Sequence, residues 1–104
     1  MLMDAQIAET TLAQLGGAGR LTVMIGAKEF GATDGGKTLR FRFAAGSAKT
    51  GNVCRVTLTP ADTYTVEFWY CRGVKYRRIA EFTDVYCDTL RRTFEQHTGL
   101  YLSL

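Results

Sequence analysis

Near the start of the chain the apolar residues Ala5, Ala8, Leu12 and Leu15 recur at three- and four-residue steps, the spacing that gathers side chains on one side of a helix. Asp4 stands where an N-cap belongs, and Gly16-Gly17 where such a helix stops. From Arg20 the pattern changes to Leu21-Thr22-Val23-Met24-Ile25, dense in β-formers and closed by Gly26, and this predicts a strand. Ala27 to Lys37 holds Gly31, Thr33, Asp34, Gly35 and Gly36, which predicts an exposed, comparatively mobile loop.

Strict alternation follows. In Thr38-Leu39-Arg40-Phe41-Arg42-Phe43-Ala44 the apolar residues take one side of a strand and Arg40 and Arg42 the other. After a loop from Gly46 to Asn52, Cys54, Val56 and Leu58 face opposite Arg55 and Thr57. Pro60-Ala61-Asp62 turns the chain, and Tyr64, Val66, Phe68 and Tyr70 form the apolar side of a fourth strand, with Thr65, Glu67, Trp69 and Cys71 across from them. Arg72-Gly73 predicts a tight hairpin into a fifth strand from Val74 to Phe82. Its phase is mixed: Val74, Tyr76, Ala80 and Phe82 share a parity with Arg78, while Ile79 falls with Lys75, Arg77 and Glu81. Thr83 or Asp84 is placed to cap a second helix with Tyr86, Leu90, Phe94 and His97 on one stripe, Cys87 beside it, and Gly99 as its stop. The apolar ending Leu100 to Leu104 is expected to dock on the body. Together these elements predict one α+β domain over residues 1–104, in the order α-β-β-β-β-β-α. It is a two-layer fold in which an antiparallel five-stranded meander carries its N- and C-terminal helices on one face.

Composition supports a packed fold. The chain has 104 residues, of which 46% are hydrophobic and 22% charged, and a domain of this size buries about two-thirds of its unfolded surface. That is enough for a core without metals or disulfides. No apolar run approaches the ~18 residues of a membrane-spanning helix, and Asp4 and Gln6 stand where a signal peptide would be basic or apolar. A cytoplasmic protein is expected. Cys54, Cys71 and Cys87 are odd in number and widely spaced, which fits three reduced thiols better than a disulfide framework. The net charge of +3 is too small to imply a polyanionic partner unless the basic residues cluster.

Gly31-Ala32-Thr33-Asp34-Gly35-Gly36-Lys37-Thr38 satisfies the phosphate-loop pattern G-x-x-x-x-G-K-[ST]. That loop needs a helix beginning at its Lys, whose amides hold phosphate, yet Leu39-Arg40-Phe41-Arg42-Phe43 is strand-patterned. The stretch reads as a glycine-rich hairpin loop. His97 is the sole histidine and no C-x-x-C spacing occurs, so neither a metal nor another cofactor is expected. Cys87 and His97 would lie almost three helical turns apart, too far to act as nucleophile and base. Asp62, Glu67, Glu81 and Asp84 suggest no acid–base pair. Catalysis is not expected.

What remains is a surface. If the apolar strand positions face the helices, then Arg40, Arg42, Arg55, Glu67, Trp69, Lys75 and Arg77 share the other face of the sheet. Arg40, Arg42, Arg55, Trp69, Lys75 and Arg77 are accordingly the expected partner-binding residues. Arg and Trp are favoured anchors of protein interfaces, for which an acidic partner surface is suited. The same platform would suit single-stranded nucleic acid, with guanidinium groups on phosphates and the indole stacked on a base. An open antiparallel sheet also carries a polar face simply because water covers it.

Gly26-Ala27-Lys28 with Phe30, Asp62-Thr63-Tyr64-Thr65-Val66-Glu67-Phe68 and the ending Thr98-Gly99-Leu100-Tyr101-Leu102-Ser103-Leu104 resemble a group of small proteins encoded in phages and prophages of Gram-negative bacteria. The likeness spans nearly the whole chain. It implies a setting in the bacterial host cytoplasm and carries no catalytic residues. Small phage accessory proteins often act by stoichiometric binding to nucleic acid or host proteins, and inhibitors of host defence such as anti-CRISPR proteins are among them. The expectation is a non-enzymatic accessory protein, a monomer or small homo-oligomer, that binds a bacterial host protein or complex with an acidic surface. Nucleic acid is the alternative partner, and a membrane is not expected.

Overall fold

The computed structural model describes residues 2–102, with side chains described from Gln6 onward. Three helices and five strands follow in the order α1 (Leu2–Leu15), α2 (Ala18–Ile25), β1 (Ala27–Thr33), β2 (Thr38–Ser47), β3 (Gly51–Leu58), β4 (Tyr64–Arg72), β5 (Lys75–Val85) and α3 (Leu90–Thr98). The strands form one antiparallel sheet in sequence order, so the expected two-layer α+β meander with flanking helices is the fold observed.

The N-terminal part departs from the sequence reading. Leu21–Ile25 is the body of α2, not a strand. Leu21 and Ile25, four residues apart, are both buried, Met24 is half-buried, and Val23 is 83% exposed. The five-residue run fits helical spacing as well as a strand, an ambiguity that short apolar segments carry. Gly26 ends the helix with φ +67°, its amide reaching the carbonyls of Leu21 and Thr22. A Cβ there would also lie 2.9 Å from the Cβ of Ala44. The first strand is instead drawn from the expected loop: Ala27–Thr33 pairs with β2 around a bulge between Lys28 and Gly31 that places Glu29 at φ +57°. Phe30 anchors this edge strand, its ring 5.6 Å from that of Phe41.

Asp4, expected as the first helix cap, lies inside α1, and its side chain is outside the described residues. At the other end β5 runs to Val85, which pairs with Tyr64 and is buried, and α3 begins only at Leu90. Tyr86 is therefore 61% exposed rather than part of the helix stripe. Leu90 and Phe94 are buried as expected. The phenyl group of Phe94 meets Phe41 at 6.2 Å, Phe43 at 5.3 Å and Phe68 at 5.5 Å between ring centroids. One side chain thus joins α3 to β2 and β4, edge-on to Phe43 and tilted against Phe41 and Phe68. Of the final segment, Leu102 is fully buried, with its amide donating to Glu95 Oε2 at 2.8 Å, and Tyr101 is 71% exposed. Ser103 and Leu104 lie outside the described residues.

Leu39, Phe41, Phe43, Val56, Val66 and Phe68 pack with residues from all three helices into one buried cluster. Val53 is buried to 1% exposure but lies outside that cluster, as does Cys71. These two belong to the opposite face of the sheet. Among the described residues no helix is long and apolar enough to cross a membrane.

Candidate functional site: the outer face of the sheet

Cross-strand partners in a sheet share a face, so the ladder fixes what the outer face carries. One row runs Gly31, Arg40, Arg55, Glu67, Glu81, and the next runs Lys28, Arg42, Val53, Trp69, Arg78. Arg40, Arg42, Arg55 and Trp69 therefore lie together on the face away from the helices, as the alternation predicts.

Lys75 and Arg77 do not join them. A bulge between Phe68 and Trp69 on β4 pairs Phe68 with Ala80 but Trp69 with Arg78, leaving Ile79 as the extra residue. Beyond it the phase of β5 is reversed: Tyr76 pairs with Cys71, Arg77 with Tyr70 and Lys75 with Arg72. Tyr76 and Arg78 take the outer positions, and Lys75 and Arg77 point to the side of the sheet that bears Phe68 and the helices. The adjacent apolar pair Ile79-Ala80, which breaks the alternation, is the sequence signal of this change of phase.

The outer arginines are largely paired. Arg55 Nη2 lies 3.0 Å from Asp34 Oδ2, Arg42 Nε 3.7 Å from Glu29 Oε2, and Arg78 Nη1 3.9 Å from Glu67 Oε1 and 3.6 Å from Glu81 Oε2. Trp69 Nε1 donates to Glu67 Oε1 at 3.2 Å. Arg40 makes no ion pair among the described residues and stands directly across from Arg55, a like-charge arrangement that costs a few tenths to about 1 kcal/mol.

Around these groups lies a depression of about 200 Å³ lined by Thr33, Arg40, Val53, Arg55, Trp69 and Tyr76. Two polar atoms of its lining residues, Thr33 Oγ1 and Arg55 Nε, are buried without a hydrogen-bond partner among the described residues, a state most buried polar groups avoid. Its composition is an apolar floor at Val53, two aromatic rings, one uncommitted guanidinium and two unsatisfied polar atoms. Thr33, Val53 and Tyr76 of this lining, and Arg78 on the same face, are residues that sequence reasoning missed.

The phosphate-loop letters fold into the β1–β2 hairpin. The Gly36 amide donates to the Thr33 carbonyl at 3.0 Å, and β2 begins at Thr38, where a phosphate loop would begin a helix. The fully buried Thr38 hydroxyl is engaged by Asp34 Oδ2 at 3.0 Å and Thr57 Oγ1 at 2.7 Å. All three cysteines are free. Burial, with a smaller contribution from Glu67, holds the Cys54 thiol far above its ordinary value, so Cys54 is no thiolate nucleophile. No group of three metal-ligating side chains converges among the described residues.

Comparison with protein-family models, curated proteins and solved structures finds no match, so the functional reading rests on this geometry.

Proposed function

We propose that the chain is a non-enzymatic binding protein that docks a protein partner on the outer face of its sheet. In keeping with the resemblance in its sequence, we place it among the small accessory proteins of phages and prophages that act in the bacterial cytoplasm, on a host protein or complex such as a defence assembly. The observation that carries this reading is the depression beside Trp69 and Tyr76, where Arg40 has no carboxylate partner among the described residues. An acidic side chain of a partner would pair with Arg40 while its stem covers the rings of Trp69 and Tyr76. Aromatic and Arg anchors around a desolvated pocket are the usual centre of a protein interface. Pairing of Arg42, Arg55 and Arg78 with carboxylates makes this face a poor track for a phosphodiester chain, which needs uncommitted cations.

The test is capture from a bacterial lysate with tagged wild type, Arg40→Glu and Trp69→Ala, followed by mass spectrometry and direct titration of the identified partner. A partner held by the wild type and bound at least tenfold more weakly by both variants supports the reading. Equal binding by all three, with their circular dichroism unchanged, overturns it.

A further inference from the structure

The cations that the bulge removes from the outer face form a surface of their own. Residues 72–78 contain Arg72, Lys75, Arg77 and Arg78 and no carboxylate, and outside this segment nine Lys and Arg stand against ten Asp and Glu. The whole positive excess of the chain therefore sits on one hairpin. All four cations are exposed, and only Arg78 makes ion pairs among the described residues. Arg72, Lys75 and Arg77 share the helix-side face at the tip of the β4–β5 ribbon, beside Tyr70.

Protection of an edge strand against pairing does not account for this pattern. Charge of either sign blunts an edge, and the far half of β5 uses Glu81 and Asp84. At the tip every charge has one sign, and Arg72 and Lys75 are directly opposed, a pairing that costs stability. The ribbon is also held firmly at its base. Asn52 Nδ2 donates to the Cys71 carbonyl at 2.9 Å, and the Cys71 amide donates to Asn52 Oδ1 at 2.8 Å. Gly73 turns the tip with φ +63°, and Val74 beside it is 94% exposed. The other sheet turn at this end, between β2 and β3, bears Lys49, while Asp34, Lys37, Asp62 and Asp84 lie toward the opposite end. The two sheet turns at this end thus carry cations and no carboxylate.

We propose that the β4–β5 hairpin is a contact site for double-stranded DNA, with Arg72, Lys75 and Arg77 on backbone phosphates. A two-stranded ribbon has the width that a major groove of about 12 Å admits. The tip exposes four cations beside one aliphatic side chain, Val74, and the Tyr76 ring, a balance of charge that suits phosphates. These cations lie on the face of the hairpin opposite the Trp69 depression, which Tyr76 lines from the other side, and neither proposal needs the other.

The experiment is fluorescence anisotropy with a short labelled duplex and the corresponding single strand, on the full chain. Three phosphate contacts predict that duplex affinity falls roughly fortyfold between ~50 and ~200 mM salt. The triple variant Arg72→Gln, Lys75→Gln, Arg77→Gln, at exposed positions, is expected to bind at least tenfold more weakly at the lower salt, and Arg72→Lys with Arg77→Lys to bind within about threefold of wild type because the phosphate term follows charge. Trp69→Ala, on the opposite face, is expected to bind duplex as wild type does, whatever its effect on protein capture. No duplex binding, binding of the single strand alone, or full binding by a folded triple-Gln variant overturns the proposal.

Discussion

Trp69 stands directly across the β4–β5 pair from Arg78, and the two meet at one carboxylate: Glu67 Oε1 accepts the indole N–H at 3.2 Å and lies 3.9 Å from the Arg78 guanidinium. Glu67 is 15% exposed at its side chain and Arg78 51%. The two contacts are therefore unequal. An exposed ion pair contributes about 0–1 kcal/mol, whereas a half-buried donor left without its charged acceptor costs about 1–3 kcal/mol.

Glu67→Ala is accordingly expected to lower stability by about 1–2 kcal/mol and to shift Trp69 emission, while Arg78→Ala, which leaves the opposed Glu67 and Glu81 without their shared cation, lowers it by less than ~1 kcal/mol and leaves the emission unchanged. Urea unfolding followed by indole fluorescence measures both. Equal effects from the two substitutions would show that the hydrogen bond to Trp69 is not what positions the ring.

Asp34 is a second carboxylate whose role exceeds its exposure. It occupies a positive-φ turn position, accepts from the buried Thr38 hydroxyl and pairs with Arg55 across two strands. Asp34→Ala should cost about 1–2 kcal/mol through the lost hydrogen bond and the strained turn. Asp34→Asn keeps the acceptor and tolerates positive φ, so thermal melts should place it between wild type and the alanine variant. An Asn variant as unstable as Ala would point to the Arg55 charge instead.

How far these features can be read from residues alone follows from what each depends on. The inward set Leu39, Phe41, Phe43, Val56, Val66 and Phe68 follows from period-two alternation on strands that water covers on one side, and the meander follows from the short turns between them. Arg40, Arg42, Arg55 and Trp69 share the outer face for the same reason. Alternation fails where the backbone itself slips. The bulge at Ile79 reverses Lys75 and Arg77, and the bulge at Glu29 lets a glycine-containing stretch serve as an edge strand. The run at Leu21–Ile25 was ambiguous in a different way, since the helix at α2 is decided by burial of Leu21 and Ile25 against the sheet, a tertiary effect that overrides local β preference. The depression could not be foreseen, because Thr33, Val53 and Tyr76 converge only through register.

Phe94 gives the packing prediction. Its ring is the meeting point of Phe41, Phe43 and Phe68, and it is 1% exposed. Phe94→Ala should cost about 3–5 kcal/mol, a large share of the stability of so small a domain. Phe94→Leu retains most of the volume and should cost clearly less. Denaturant midpoints compare them, and a small loss in Phe94→Ala would mean that α3 does not hold the sheet.

The cysteines report on the core through their different exposure. Cys87 is exposed, and Cys54 and Cys71 are buried. A thiol reagent that reacts with thiolates should modify Cys87 rapidly in the folded protein and the other two only as the chain unfolds. Burial raises the Cys54 thiol, with Glu67 adding to the effect, so the folded state keeps a proton that the unfolded chain releases above a pH of about 8.5. Where the unfolded chain binds fewer protons, stability falls as pH rises. The stabilising contribution is therefore whole below that pH and declines above it. Cys54→Ala removes the titrating group, and its stability should fall less steeply than wild type between pH ~8 and ~10, measured by urea unfolding under reducing conditions. Parallel declines in the two proteins would show that another group governs the alkaline limb.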